Sequence, residues 1–344
     1  MINLLDLTYD ELQSFVVDDL KQARFRTDQI WQWIWQKGCA DFEEMTNMGK
    51  GLRSLLAERA TIFHPSIDRA QVSRDGTVKL LLRLHDDKLV ETVLIPFNDR
   101  YSQCLSTQVG CAMACTFCNT GKLGFERNLT MGEILGQVLV GRKYLADNDL
   151  DPLRNLVFMG MGEPLLNLDN LLRALETLPS TKGLNISWRR SMVSTVGFPE
   201  QLRKLGETEL ALPAISLHAP TQELREKIMP KAARVHLDEL MRCLNEFPLR
   251  PRERITFEYL LLKGVNDSLE YADQLAKLVD PKRMKVNLIA YNATEGMPYD
   301  APDREQVEAF EKRLWKHGVT AFIRRSMGAD IMAACGQLKA DQQK

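Results

Sequence analysis

The 344 residues contain no run of 18 apolar residues, no low-complexity tract and no internal repeat, and 45 Lys and Arg stand against 46 Asp and Glu, a net charge of −1. The first absence argues against a membrane-spanning helix, and the composition excludes collagen-like and disordered chains. Near neutrality also denies the chain the basic footprint of a nucleic-acid-binding protein, and residues 1–60 are acidic, with 7 basic side chains against 10 acidic ones. No leader is evident: the start, Met1 to Leu7, has no basic region and meets Asp6 before any apolar run develops. The end, Asp341 to Lys344, carries no lipidation or retention signal, so the cytoplasm is the expected compartment.

A disulfide framework is missing too. Seven cysteines, an odd number without a secretory leader, point instead to metal-binding or catalytic thiols. Cys39 and Cys243 lie among apolar neighbours and read as small core residues. Cys111, Cys115 and Cys118 fall within eight residues, in a loop of small side chains that lets the backbone wrap a compact inorganic core. A structural zinc prefers four closed ligands in paired C-x-x-C knuckles, and no second knuckle occurs. Three cysteines in a C-x3-C-x2-C loop suit a [4Fe–4S] cluster with one iron left open for a non-protein ligand. Cys104 would need a foldback to be a fourth ligand, since an extended chain from 104 to 110 spans up to about 23 Å. Cys335 is remote in sequence, and that arithmetic leaves it open.

From about residue 104 onward, short apolar runs alternate with amphipathic segments, the pattern of repeated β/α units around a parallel sheet. Strands are expected at Cys104–Val109, Asn155–Met159, Arg190–Thr195, Leu210–Leu217, Ile255–Leu262, Met284–Ala290 and Thr320–Arg324. Capping boxes are expected at Thr130/Glu133, Asp267/Glu270 and Asp303/Gln306. The reading is an α/β protein built on a partial (β/α)6-type barrel. Residues 1–62 form a small helical accessory domain, 63–98 a β-rich connector, and 99–344 the core with a C-terminal cysteine loop. Of Trp31, Trp33 and Trp35 in the first domain, at least two read as core rather than as a stacking platform.

The three-cysteine loop after a strand, with Gly160-Met161-Gly162-Glu163-Pro164 closing the next one, resembles the radical S-adenosylmethionine (radical SAM) superfamily. Val90 to Pro96, Cys104 to Cys111, Ser216-Leu217-His218 and Ala333 to Leu338 extend the match, so that nearly the whole chain resembles the RlmN/Cfr RNA methyltransferases. Leu165 after Gly162-Glu163-Pro164 is similar to the members that methylate C2 of adenine rather than C8. Two departures stand out: Met332, where the family commonly has Asp, and the short tail after Leu338.

The resemblance implies one [4Fe–4S] cluster held by Cys111, Cys115 and Cys118, and two SAM molecules per turnover, one giving a methyl group and one a radical. Cys335 would accept the methyl group and carry it to the base, Glu91 would take a proton from the covalent RNA adduct, and Cys104 would release it as a Cys104–Cys335 disulfide. SAM contacts would come from Gly162, Glu163, Ser194, Ser216, Leu217, His218 and Asn292, which fall at strand ends where ligands bind in such sheets. The implied substrates are an adenine of 23S rRNA in the peptidyl transferase centre and the tRNA adenosine 3′ of the anticodon. A flavodoxin or ferredoxin would supply electrons; no membrane and no obligatory protein partner are implied. Arg189-Arg190, Arg250 to Arg254 and Arg324-Arg325 are the candidate phosphate contacts. Two competing readings remain: C8 methylation of the same base, and a non-enzymatic RNA-binding module in which the three cysteines and Cys335 close a zinc site.

Overall fold

The computed structural model describes residues 1–294 and 296–340. Ten strands form its main sheet: β1 Ser66–Val72, β2 Val78–Arg83, β3 Leu89–Phe97, β4 Arg100–Cys104, β5 Leu153–Phe158, β6 Ser191–Thr195, β7 Leu212–Ser216, β8 Ile255–Leu261, β9 Met284–Ala290 and β10 Ala321–Arg324. They lie side by side in chain order. β1 to β4 are an antiparallel meander, and from β4 onward each strand runs parallel to the next. Among the described residues β1 and β10 do not pair, so the barrel is partial. The sheet runs unbroken across residue 98, with Val93 of β3 opposite Cys104 of β4.

The burial of each strand follows its place. β8, Ile255-Thr-Phe-Glu-Tyr-Leu-Leu, is buried at every position, as a central parallel strand covered on both faces must be. β1 is largely exposed and carries Asp68 and Arg69, charges suited to an edge strand.

The strand expected at Cys104–Val109 is broken in two. β4 stops at Cys104, and Gln108–Gly110 pairs instead with Phe125–Asn128 in a separate two-stranded sheet. The cause is tertiary: the Ser106 N–H is taken by the Gln137 side chain at 2.9 Å, which turns the chain out of the ladder toward the three-cysteine loop.

Of the three expected capping boxes, that of Thr130 and Glu133 is present in full. At the second site Ser268 caps the Leu269–Leu278 helix, while Asp267 accepts from the Gly264 N–H. At the third, Asp303 sits at the cap position of the Arg304–Lys316 helix but bonds to Lys263, and Gln306 reaches across to the Asp267 carbonyl.

The first 60 residues fold as short helices against the barrel, sharing one apolar core with it. Trp31 and Trp35 are buried, and the Trp31 indole N–H donates to the Ser180 hydroxyl at 3.0 Å, so these two rings are core, not a platform. One close join is at Gly132 of the Met131–Asp147 helix, whose N–H donates to the Asp6 carboxylate at 2.9 Å. A Cβ there would meet the Asp6 carboxylate at 2.7 Å and Leu5 Cβ at 2.8 Å.

Gly132→Ala is therefore expected to destabilise the protein by about 1–3 kcal/mol through overpacking, although alanine favours a helix interior by about 1 kcal/mol. Urea denaturation measures this, and a variant at least as stable as wild type would mean that the N-terminal helices do not rest on this surface.

Candidate active site

Two cavities open at the carboxyl ends of the parallel strands. The first, of about 160 Å³, is lined by Cys111, Cys115 and Cys118, by Gly160, Gly162 and Glu163 after β5, and by Ser194, Ser216 and His218. The second, of about 150 Å³, is lined by Cys104, Arg324, Arg325 and residues 333–336. Cys335, Gly336, Cys118, Met159, Gly160, Glu258 and Ile289 border both, so Cys335 stands where the two meet.

Local structure explains how each group arrives. Gly110, at φ +72°, turns the chain into the cysteine loop, where an added Cβ would fall 1.9 Å from the Gly124 carbonyl oxygen. The Thr116 N–H and hydroxyl both bond to the Ile228 carbonyl, tying the loop to the Gln222–Ile228 helix. Gly162, at φ +103°, leaves room for Gln108, whose Cβ would lie 2.6 Å from a methyl group placed on it.

Glu163 is wholly enclosed. Its carboxylate accepts from the Val196 N–H at 2.9 Å and the Leu165 N–H at 3.1 Å, yet burial still pushes it up to about 7. An ammonium group arriving in the cavity would favour its charged form. Burial also drives His218 down to about 3, leaving it neutral. Its Nδ1 accepts from the Leu260 N–H at 3.0 Å, so the ring proton is on Nε2. Ser194 and Ser216 hydroxyls are 3.3 Å apart on adjacent strands.

The three loop thiols suit a soft metal core. All are pushed up by burial, Cys111 to about 12; Cys118 raises Cys111 and Cys115 further by proximity, and Cys111 raises Cys115. The three cysteines line the same cavity as two serines, a carboxylate and glycine backbone. That donor set fits a [4Fe–4S] cluster with one iron open to a small ligand carrying an amino and a carboxylate group.

Cys335 is held by its flanks. The Asn119 N–H donates to the Gly336 carbonyl at 2.8 Å, and the Thr120 hydroxyl to the Leu338 carbonyl at 2.6 Å. Asp75 accepts from the Gly328 N–H at 2.8 Å, and Asp330 accepts from the Ser73 hydroxyl at 2.5 Å. Met332 adopts φ +55°, a left-handed conformation easier for Asp or Asn than for Met. Cys335 reaches solvent through the cavity, while surrounding protein and Glu258 push its thiol up and Arg324 opposes them. Burial first, and then Cys335, likewise raises Cys104, which Arg324 lowers.

Three of the expected residues line neither cavity. Glu91 is buried in an ion pair with Lys79 at 3.0 Å and accepts from the Lys339 N–H at 2.8 Å. Leu217 is core. Asn292 lies just past β9, and its buried side-chain nitrogen has no partner. The arginines at 189–190 and 250–254 precede β6 and β8, at the end of the sheet opposite the cavities, where Arg250 stacks 3.6 Å from the Trp188 ring centre. Of the candidate phosphate contacts among the described residues, Arg324 and Arg325 alone line either of these two cavities.

Two residues went unremarked in the sequence. Glu258, bonded by the Asn287 amide at 2.9 Å, faces both cavities from β8, and Lys79 pairs with Glu91 from β2. Each is a lone charge inside an apolar strand, which is the signal that marks it.

Residues 2–62 match the ribosomal RNA large subunit methyltransferase N-terminal domain, and residues 105–278 match the radical SAM superfamily. The chain is 60% identical to the dual-specificity RNA methyltransferase RlmN of Oleidesulfovibrio alaskensis, over 99% of this chain and 96% of that one. It is 57% identical to the protein of the same description from Nitratidesulfovibrio vulgaris, with the same coverage of 99% and 96%. Among solved structures, a radical SAM methyltransferase from Sphaerobacter thermophilus superposes with a TM-score of 0.94 at 38% identity, covering 99% of this chain and 100% of that one.

Glu163 keeps its proton to about pH 7 when folded, against an ordinary value of 4.5. The folded state binds more protons between those values, so its contribution to stability is present at low pH and is lost as pH rises through the window. The loss is on the order of 3 kcal/mol. The cluster-free Glu163→Gln variant should therefore lose less stability than wild type between about pH 5 and about pH 7.5 in urea denaturation, and equal slopes would remove Glu163 as the titrating group.

Proposed function

The chain belongs to the RlmN family of radical SAM RNA methyltransferases, and on that premise we propose that it methylates C2 of adenine, using Cys335 as the methyl carrier, Glu91 as the base and Cys104 as the releasing thiol. It is a radical SAM enzyme that acts on RNA; 23S rRNA and tRNA are the proposed substrates. The observation that carries the reading is the position of Cys335 between the three-cysteine cavity and the cavity holding Cys104 and two arginines.

C2 of adenine is electron-poor and bears no acidic proton, so it does not attack a sulfonium methyl group as a nucleophile. A cluster on Cys111, Cys115 and Cys118 with SAM beside it supplies, when bound, a transferable methyl group and a radical that removes one hydrogen from a methyl group. Gly162 offers backbone contact and Glu163 accepts from the SAM ammonium. Ser194, Ser216, His218 and the unpartnered amide of Asn292 serve the carboxylate, ribose and adenine. Leu217 acts only by holding Ser216 and His218 in place.

Cys335 is the soft nucleophile that adenine carbon is not, and its thiolate takes the first methyl group. Once that carbon is bonded to C2, Glu91 removes the C2 proton, and the adduct's unpaired electron would be taken up by the oxidised cluster, which restores a closed-shell aromatic ring. Cys104 sulfur then attacks Cys335 sulfur: the S–S bond forms, the S–C bond breaks, and its electron pair leaves with the carbon, which is protonated to the new methyl group. External thiols reduce the disulfide. Lys79 pairs with Glu91 beforehand, and the Lys339 amide on the same carboxylate makes movement of the C-terminal segment part of Glu91's engagement.

Arg324 and Arg325 are the contacts we assign to RNA phosphates, and the substrate base must be unstacked to enter, which suits a loop. Residues 1–62 serve as an accessory RNA grip, 63–98 as connector and 99–344 as catalytic core. A flavodoxin or ferredoxin is the proposed electron donor, and the cytoplasm the proposed compartment. No helix of the described residues is long and apolar enough to cross a membrane.

Incubation of the reconstituted protein with SAM, reductant and rRNA or tRNA, followed by mass analysis of nucleosides, is expected to give 2-methyladenosine; 8-methyladenosine would overturn the C2 assignment. Cys104→Ala should accumulate a covalent protein–RNA adduct seen as a shifted band in denaturing gels. Normal release of methylated RNA by that variant would rule out the role given to Cys104.

A further inference from the structure

Arg225 is a fully buried guanidinium with no carboxylate partner among the described residues. It sits in the Gln222–Ile228 helix, inside the apolar cluster of Met113, Phe117, Val196, Leu224, Ile228 and Met229 against which Cys111, Cys115 and Cys118 pack. One Nη donates to the carbonyls of Ala232 and Val235 at 3.1 and 3.4 Å, and the other to the Val196 carbonyl at 2.6 Å. Its Nε is buried and unpartnered, and among the described residues no carboxylate lies within ion-pair reach.

A buried cation answered only by neutral carbonyls costs several kcal/mol, which is hard to explain in a protein whose other arginines reach carboxylates or solvent. Two connections say what it faces. The cysteine loop is tied to the same helix through Thr116 and the Ile228 carbonyl, one turn beyond Arg225. The Val196 peptide that accepts from Arg225 donates its own N–H to Glu163 at 2.9 Å. Arg225 therefore stands behind both the three sulfurs and the carboxylate. Cys115 is the group that favours its charge, while burial drives it down to about 10.

We propose that Arg225 is the fixed counter-charge of the iron–sulfur site: a positioning residue, outside both cavities, whose positive charge is answered only when the three cysteines bind a cluster as thiolates, and which raises that cluster's reduction potential. The proposal rests on the reading of Cys111, Cys115 and Cys118 as cluster ligands. Thiolate ligation makes the assembly net negative, and uptake of one electron adds a further negative unit. A nearby buried cation favours that reduced form, since the potential of such centres follows local charge and solvent access. The same cation, bonded to the Val196 carbonyl, fixes the turn that holds Glu163.

The test uses the full-length chain loaded anaerobically with iron and sulfide, as wild type, Arg225→Lys and Arg225→Gln. Iron content, a redox titration followed by electron paramagnetic resonance, and Tm before and after loading are measured. In Arg225→Gln the cluster potential should move to more negative values and loading should raise Tm less than in wild type, with the unloaded Tm no lower. Arg225→Lys should stay near wild type in potential. An unchanged potential in Arg225→Gln, or an equal shift in Arg225→Lys, overturns the charge role. If Arg225→Gln does not accumulate as folded protein, Arg225→Lys decides by its potential alone. Wild-type protein that assembles no cluster overturns the ligand reading itself, an outcome distinct from any difference among the variants.

Discussion

The hydrogen bonds that stitch residues 328–339 back onto the barrel decide whether the protein has a complete site. Three different elements receive that segment. The turn between β1 and β2 holds Gly328 and Asp330, the helix after the cysteine loop holds Gly336 and Leu338, and β3 holds Lys339 through Glu91. Leu338 and Ala333 join the apolar core, and the hydrogen bonds supply the rest of the hold. They fix a geometry that the core alone leaves free, bringing Cys335 to the wall shared by two cavities that the sheet has already shaped. The antiparallel meander matters for the same reason. It extends the sheet far enough to offer an anchor for a segment that comes after the last parallel strand.

The parallel strands supply the other half of the arrangement. Their carboxyl ends collect backbone and short polar side chains at one rim, while their buried interiors exclude water from it. Glu163 and His218 show the result in opposite directions: the same desolvation holds one protonated near neutrality and the other uncharged well below it.

Much of this was legible in the sequence, because β/α alternation is a periodic signal and the cysteine spacing is local. Met284–Ala290 stands as expected from its residues, and the remaining parallel strands differ by one or two positions at their ends. The failures have a common physical form. The run from Cys104 to Val109 has strand composition throughout, but the Gln137 side chain takes a ladder N–H, a tertiary event without a local trace. Asp267 and Ser268 both carry cap chemistry, and a turn bond to Gly264 decides between them. Arginine runs at 189–190 and 250–254 look like an RNA surface until the strand directions place them at the opposite end from the cavities. Lys79 and Glu258 were visible only as charges in apolar strands and Arg225 only as one charge among several in a polar helix, and what each faces depends on residues far away in the chain.

Cys104 and Cys335 lie at opposite ends of the catalytic part of the chain, with every parallel strand after β4 formed by the residues between them. Contacts of such long sequence separation close late in folding, because the loop entropy must be overcome before they reward it. A chain emerging from its own synthesis holds Cys104 and the cysteine loop long before Cys335 exists. Proximity of the two sulfurs is therefore a property of the finished molecule only, and a crosslink between them reports that the last strand and the returning tail have both docked.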